Sequence, residues 1–231
     1  MSLPTLSPLD WTALRLSLEL GLVTTATLLV CGTPLAWWLA RGRSRFKPIV
    51  EAIVAMPLVL PPTVLGFYLL ILLAPKGPLG SLWQEATGGN SLAFSFPGLV
   101  LASVVYSFPF VVQPLQRAFE SMGSAPLEAA ASLGASPWDA FASVALPLAR
   151  RGYLTAAVLG FAHTLGEFGV VLMVGGNIPG QTRVISIAVY DHVENLEYGE
   201  AHALSLLLLL IAFVSLVTIF TLNREERSGR R

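Results

Sequence analysis

Two side chains in this sequence stand where ionisable groups are costly: His163 and Glu167, within Ala162-His163-Thr164-Leu165-Gly166-Glu167-Phe168-Gly169. Their spacing of four predicts one shared helical face. Such groups in an apolar segment turn towards a bundle interior or an aqueous path, because lipid does not solvate them. Two readings stay open for them, a buried hydrogen-bonded pair that holds helices together and a gate or pathway element. Gly166 and Gly169 beside them permit close helix approach or local unwinding. A second unusual stretch is Met56-Pro57-Leu58-Val59-Leu60-Pro61-Pro62-Thr63-Val64. Pro57, Pro61 and Pro62 each remove a backbone donor and obstruct the preceding turn, so this segment must kink or unwind with its freed carbonyls facing protein or water. A bent helix within a bundle and a kink that shapes a path are both consistent with it. None of this is a catalytic centre. The sequence has no Gly-x-x-x-x-Gly-Lys-Ser/Thr loop to cradle ATP phosphates, no His-Glu-x-x-His, no paired-cysteine metal pattern and no Gly-x-Ser-x-Gly elbow. The expectation is no catalytic residue, no metal site and no cofactor in this chain, with energy supplied by a partner or a gradient.

The elements that must position these residues are set by composition. Of 231 residues, 54% are hydrophobic and only 12% charged, which excludes an ordinary soluble protein. The expected class is an all-α integral membrane protein in a single domain, residues 1–231. Five segments are apolar and long enough to cross a bilayer, near 14–40, 49–74, 96–115, 152–174 and 203–222. Arg41, Arg43, Arg45, Lys47, Arg117, Arg150, Arg151, Arg224, Arg227, Arg230 and Arg231 fall on one side, and Lys76 and Arg183 on the other. The positive-inside rule then predicts the N-terminus outside and the C-terminus in the cytoplasm. Arg15 with Glu19, and Lys47 with Glu51, read as boundary ion pairs. Thr24, Thr25 and Thr27 with Gly21 and Gly32 make a small surface suited to helix packing. Residues 75–95 read as a connector, and Asp191, Glu194, Glu197 and Glu200 as an outward acidic run, either a docking surface or a solvated face. Cys31 reads as a packing residue. The first apolar run is too long for a signal-peptide core, so the N-terminus is expected to be retained. A net formal charge of zero gives no reason to expect a nucleic-acid partner.

Between the third and fourth spans lies the segment 124–147, containing Glu128-Ala129-Ala130-Ala131-Ser132-Leu133-Gly134 and Ser136-Pro137-Trp138-Asp139 and ending Val144-Ala145-Leu146-Pro147. It reads as two short helices hinged at Gly134: Ser124 and Pro126 suit a start, Gly134 a left-handed cap, Ser136 with Asp139 a capping box, and Pro147 a close. Glu-Ala-Ala, three residues, Gly, nine residues, then a β-branched residue, any residue and Leu-Pro resembles the cytoplasmic coupling loop of ABC-importer permeases, with Val144 where isoleucine is usual. The proline run, Leu165-Gly166-Glu167-Phe168-Gly169 and Asn177-Ile178-Pro179-Gly180-Gln181-Thr182-Arg183 are similar to the permease subunits of molybdate importers, whose relatives handle tungstate and sulfate. His163 departs from that family's pattern, where arginine is expected.

The resemblance implies a type I ABC-importer permease of MetI-like fold, five transmembrane helices with a cytoplasmic coupling helix, in a bacterial or archaeal inner membrane. It implies a second copy of the chain as a homodimer partner, a cytoplasmic ATPase dimer that binds ATP and magnesium, an external solute-binding protein, and surrounding lipid. Glu128, Ala129, Ala130, Gly134, Leu146 and Pro147 would couple to the ATPase. Pro57, Pro61, Pro62, His163, Gly166, Glu167 and Gly169 would belong to the pathway or its gate. The rival class, a gradient-driven carrier or channel, would need an internal repeat or a row of intramembrane ion ligands, and the sequence has neither.

Overall fold

The computed structural model describes residues 6–228, with the side chains of residue 219 and residues 222–228 excepted. The basic residues Arg230 and Arg231, and the side chains of Arg224 and Arg227, lie outside what is described. Among the described residues every regular element is helical. Helix α1, Pro8–Arg41, opens with Ser7 in a capping box with Asp10 and runs through Pro34. Helix α2, Lys47–Ala55, passes into a tight turn at Met56–Leu58, and α3, Pro62–Leu73, follows. The proline run makes the chain turn by 107° between these two pieces. Helix α4 is Pro78–Thr87, and α5 is Phe96–Ser121 with Pro109 and Pro114 inside it. Next come α6, Ala125–Ser132, and α7, Pro137–Ala140. Helix α8, Leu146–Leu165, precedes α9, Gly169–Gly175, at a bend of 63°. Helix α10 is Ile185–Glu194 and α11 is Tyr198–Ser228. Among the described residues three helices are long and apolar enough to cross a membrane, or up to five spans if each bent pair counts as one.

The long helices α1, α5 and α8 pack on one another around Leu28, Leu39, Val111, Val112, Leu115 and Phe119, all fully buried. Small residues set how closely they approach. A Cβ at Gly21 would stand 2.9 Å from Phe161, and one at Gly160 2.7 Å from Val111. Thr24 and Thr25 are buried in the same seam, as the sequence predicts, while Thr27 is half-buried and donates to Val23 O at 2.8 Å. The half-spans α3 and α9 pack together and against α5 over Leu69, Leu73, Ala102, Val170 and Val174. Helix α10 lies against α1 and α11, and the buried Ser17 hydroxyl of α1 accepts from Ile185 N at 2.7 Å.

Several expectations change. The connector 75–95 holds α4, opened by Pro78 and closed by left-handed Gly88. Pro147 does not close the second short helix. From α7 the chain runs through one wide turn, Phe141–Ala145, directly into α8, with Pro147 in the first turn of α8, where its missing N–H is harmless. Ser124 stands at the start of α6 but caps nothing with its side chain. Three of the four acids in the run 191–200 have named partners: Asp191 meets Arg183 at 3.1 Å and Asn177, Glu194 meets Tyr190, and Glu197 meets His192 at 2.6 Å.

Candidate functional site

The site begins with two chain breaks. Pro57 lies buried in the tight turn, Pro61 precedes α3, and Pro62 is its first residue, so α3 starts where no helix could have continued. In the fourth span, α8 ends at Leu165, and Gly166, Glu167 and Phe168 form an irregular connection before α9. This corrects the shared helical face predicted for His163 and Glu167: the ladder that would align them stops between them. Two glycines within four residues lower helix propensity there. Ser186 of α10 donates to the released Glu167 carbonyl at 2.6 Å.

The two breaks meet. A Cβ on Gly169 would come within 2.8 Å of Pro62 Cβ, and one on Gly66 within 2.8 Å of Met173 Cβ. Between them lies a cavity of about 580 Å³ lined by Pro62, Thr63, Tyr106, His163, Gly166, Glu167, Phe168 and Gly169 with neighbouring apolar side chains. Five of the seven predicted pathway residues therefore share one cavity. Pro57 and Pro61 do not line it and act by bending the chain.

His163 is held from α5. Its Nδ1 lies 2.9 Å from Ser107 Oγ, which is 3.1 Å from Thr164 Oγ1, and Thr164 in turn donates to Gly160 O at 2.9 Å. The ring stacks on Phe110 with centroids 3.8 Å apart and leans on Tyr106. Glu167 is 3% exposed, and neither carboxylate oxygen has a partner in good hydrogen-bond geometry, although the buried Ser103 hydroxyl is a polar neighbour. His163 and Glu167 thus share a cavity without forming the hydrogen-bonded pair that was one of the two readings. Ser103, Ser107 and Ser186 complete the site. In the sequence these three serines carry no signal beyond being small and polar.

At the opposite end of α8 stands the hinged segment. Helix α6 buries none of its residues. Glu128, Ala129, Gly134 and Pro147 are exposed, and Ala130 and Leu146 are half-buried. Gly134 has φ +85°. Its N–H bonds Ala131 O and the Ala135 N–H bonds Ala130 O, both at 3.0 Å, which is the double closure of a left-handed glycine cap. Ser136 accepts from Asp139 N at 3.2 Å while Asp139 accepts from Ser136 N, completing the predicted capping box. Leu133 is 90% exposed and Trp138 72% exposed, an apolar display that suits a partner protein.

The family model described as binding-protein-dependent transport system inner membrane component matches residues 32–225. The molybdenum transport system permease protein ModB of Azotobacter vinelandii is 58% identical over 224 residues, covering 97% of this chain and 98% of that protein. Among solved structures, a bacterial alginate ABC transporter in complex with an alginate pentasaccharide-bound periplasmic protein matches with a TM-score of 0.74 at 18% identity, over 95% of this chain and 80% of that one. The MetNI methionine ABC transporter in inward facing conformations matches with a TM-score of 0.70 at 18% identity, over 96% and 99%. At that identity the structural likeness establishes the fold, an ABC-importer permease fold.

Proposed function

This chain belongs to the family of binding-protein-dependent transport system inner membrane components, and we propose that it forms the membrane path for molybdate, or the closely similar tungstate, in an ATP-driven importer. It is a multi-pass inner-membrane transporter component and not an enzyme. The observation that carries the coupling role is the α6–Gly134–α7 segment. A hinged pair of short helices, of which only Ala140 is buried, stands on a direct continuation of α8, the helix that ends in the broken segment around Glu167. A push on that segment by a cytoplasmic ATPase dimer, which binds the ATP and magnesium, would be transmitted along α8 to the cavity. The residues in contact would be Glu128, Ala129, Ala130 and Gly134, with Leu146 and Pro147 at the root of α8.

The path itself needs a second copy. The cavity rim at Pro62, Thr63 and Gly166 is exposed, and lipid would leave Glu167 unsolvated there. A facing protomer would turn the opening into an enclosed route. An external solute-binding protein would deliver the anion, and the distribution of basic residues supports an external N-terminus and a cytoplasmic C-terminus. The substrate reading rests on near-full-length similarity to a molybdenum permease.

The test is ATPase activity of the purified assembly with and without its binding protein, offering molybdate, tungstate and sulfate in turn. Stimulation by molybdate or tungstate is expected, and stimulation by sulfate alone would reassign the substrate. Orientation is checked in a variant lacking Cys31. A cysteine placed in 41–48 should resist an impermeant thiol reagent applied to intact cells, and labelling there would reverse the topology.

A further inference from the structure

A second space, separate from the cavity at the two breaks, lies between α1 and the root of the hinged segment. It is a groove of about 810 Å³ whose walls include Val30, Pro34 and Trp37 of α1 and, across from them, Trp138 and Phe141. Among the described residues no charged side chain lines it. The two hydroxyls in its wall are already engaged, Tyr153 donating to Thr33 Oγ1 at 3.0 Å and Thr33 donating to Leu29 O. A hydrocarbon chain placed there would strand neither of them. The Trp37 ring is held edge-on by Phe119 and Phe141, with centroids 5.1 and 5.0 Å away, so this wall is formed before anything enters the groove.

The groove is apolar along its length and basic at one end. Arg41 lies one turn beyond Trp37, its guanidinium 5.5 Å from the centre of that ring. One of its nitrogens donates to Gly123 O at 2.6 Å, while its buried Nε has no hydrogen-bond partner. Arg43 and Arg45 follow within four residues, and the sequence beyond 222 carries four arginines against two glutamates, so positive charge prevails on this side. From Arg41 back to Leu29, the lining residue of α1 farthest from it, is about 18 Å of helix, close to the hydrocarbon depth of one leaflet, about 15 Å. A phospholipid combines an anionic phosphate at headgroup level with a hydrocarbon chain below it, and a basic side chain at the membrane surface attracts such a headgroup. We propose that the groove binds one anionic phospholipid, with its phosphate at Arg41 and an acyl chain along Val30, Pro34 and Trp37. The proposal rests on the orientation given above, which assigns this end of α1 to the cytoplasmic leaflet, and is independent of which anion is transported.

The experiment locates the lipid directly. The permease–ATPase assembly is placed in phosphatidylcholine nanodiscs with a trace of phosphatidylglycerol carrying a photoreactive diazirine in one acyl chain, or of phosphatidylcholine carrying the same chain. Adducts are mapped by peptide mass spectrometry. The phosphatidylglycerol probe should label 29–37 and 137–141 about fivefold more than the phosphatidylcholine probe, as one basic side chain meeting an anionic headgroup implies. Excess unlabelled phosphatidylglycerol should compete that labelling away. The exposed Leu206, Leu209 and Phe213 of α11 report bulk lipid and should take both probes equally. Arg41→Gln should remove the preference and Arg41→Lys keep most of it. Val30→Trp, which adds bulk at a wall position that is 74% exposed, should lower labelling of the groove by both probes. Co-purification of the ATPase with each variant reports that the fold is intact. Equal labelling of the groove by the two probes, or a preference undiminished in Arg41→Gln, overturns the proposal. No adducts in the groove would mean that the second copy, the ATPase or another segment of the chain covers it, and would overturn the proposal equally. The cysteine labelling of 41–48 tests the orientation separately, so a reversed topology would change the leaflet that supplies the lipid and leave the binding result readable on its own.

Discussion

Replacing Gly134 separates backbone geometry from side-chain bulk at the hinge. An added Cβ there would meet nothing within 4 Å, so crowding contributes nothing to the cost. The backbone does. At φ +85° an L-residue loses about 1–2 kcal/mol relative to glycine, which lowers the population of the native hinge by about 5- to 30-fold if nothing else holds it. The two closing bonds, Gly134 N to Ala131 O and Ala135 N to Ala130 O, depend on that conformation, so relaxing it also releases the end of α6. Asparagine tolerates the left-handed region better than other residues, and a β-branched valine is the worst case. Molybdate uptake into proteoliposomes containing the whole assembly should therefore fall in the order Gly, Asn, Ala, Val. Gly134→Val should lose most of its activity while all spans insert normally, as judged by yield and by thiol labelling of loop cysteines. If Gly134→Val transports at the wild-type rate with the ATPase bound, the hinge is a passive connection. If asparagine is as damaging as valine, the backbone argument is wrong.

Ala130→Trp acts on the exposed face instead, and should reduce co-purification of the ATPase where Gly134→Asn does not. Ser17→Ala strands the buried Ile185 N–H and should cost about 1–3 kcal/mol of stability, seen as a lower melting temperature of the detergent-solubilised protein; an unchanged melting temperature would mean that another acceptor replaces the hydroxyl. Burial alone would push the His192 imidazole below its usual 6.5, but hydrogen bonds that it donates to Asp10 and Glu197 outweigh it and raise the value, so its stabilisation is complete below about pH 6.5 and is lost as pH rises through the raised value. The melting-temperature gap between wild type and His192→Gln should accordingly shrink from pH 6 towards alkaline pH, and a gap that widens would refute the assignment. Glu167→Gln removes a buried carboxylate while keeping its shape, and should alter assembly or transport rate without changing which oxyanion is preferred in competition uptake. A switch in preference would make Glu167 part of the selective site.

Much of this was legible because local chemistry determines it. Gly134, Ser136 and Asp139 behave as their types and spacing require, since caps are decided within four residues of chain. The proline run announced a break for the same reason. The angle of that break was not legible, because 107° depends on where α3 finds α9 to pack against. The His163–Glu167 spacing misled for the opposite reason: periodicity assumes an intact helix, and Gly166 with Gly169 let tertiary packing end it at Leu165. The triad of Asp10, His192 and Glu197 joins residues up to 187 positions apart, and no local pattern signals it.

The two breaks have a shared physical logic. A helix that crosses lipid satisfies its own backbone, so a span can be interrupted only where protein or water takes over the freed groups. Here each interruption is covered by the other: Pro62 opens α3 against Gly169 at the start of α9, and Gly66 of α3 lies against Met173 of α9. The half-spans α3 and α9 therefore form one packed unit, joined to α2 and α8 only through the irregular residues at the breaks. A force arriving along α8 meets a joint at Gly166 and need not bend a continuous helix. The cavity at that joint holds the least satisfied carboxylate among the described residues of the bundle, Glu167. Moving α8 against the α3–α9 unit would change the water and the partners available to that carboxylate, which is the property the proposed gate requires.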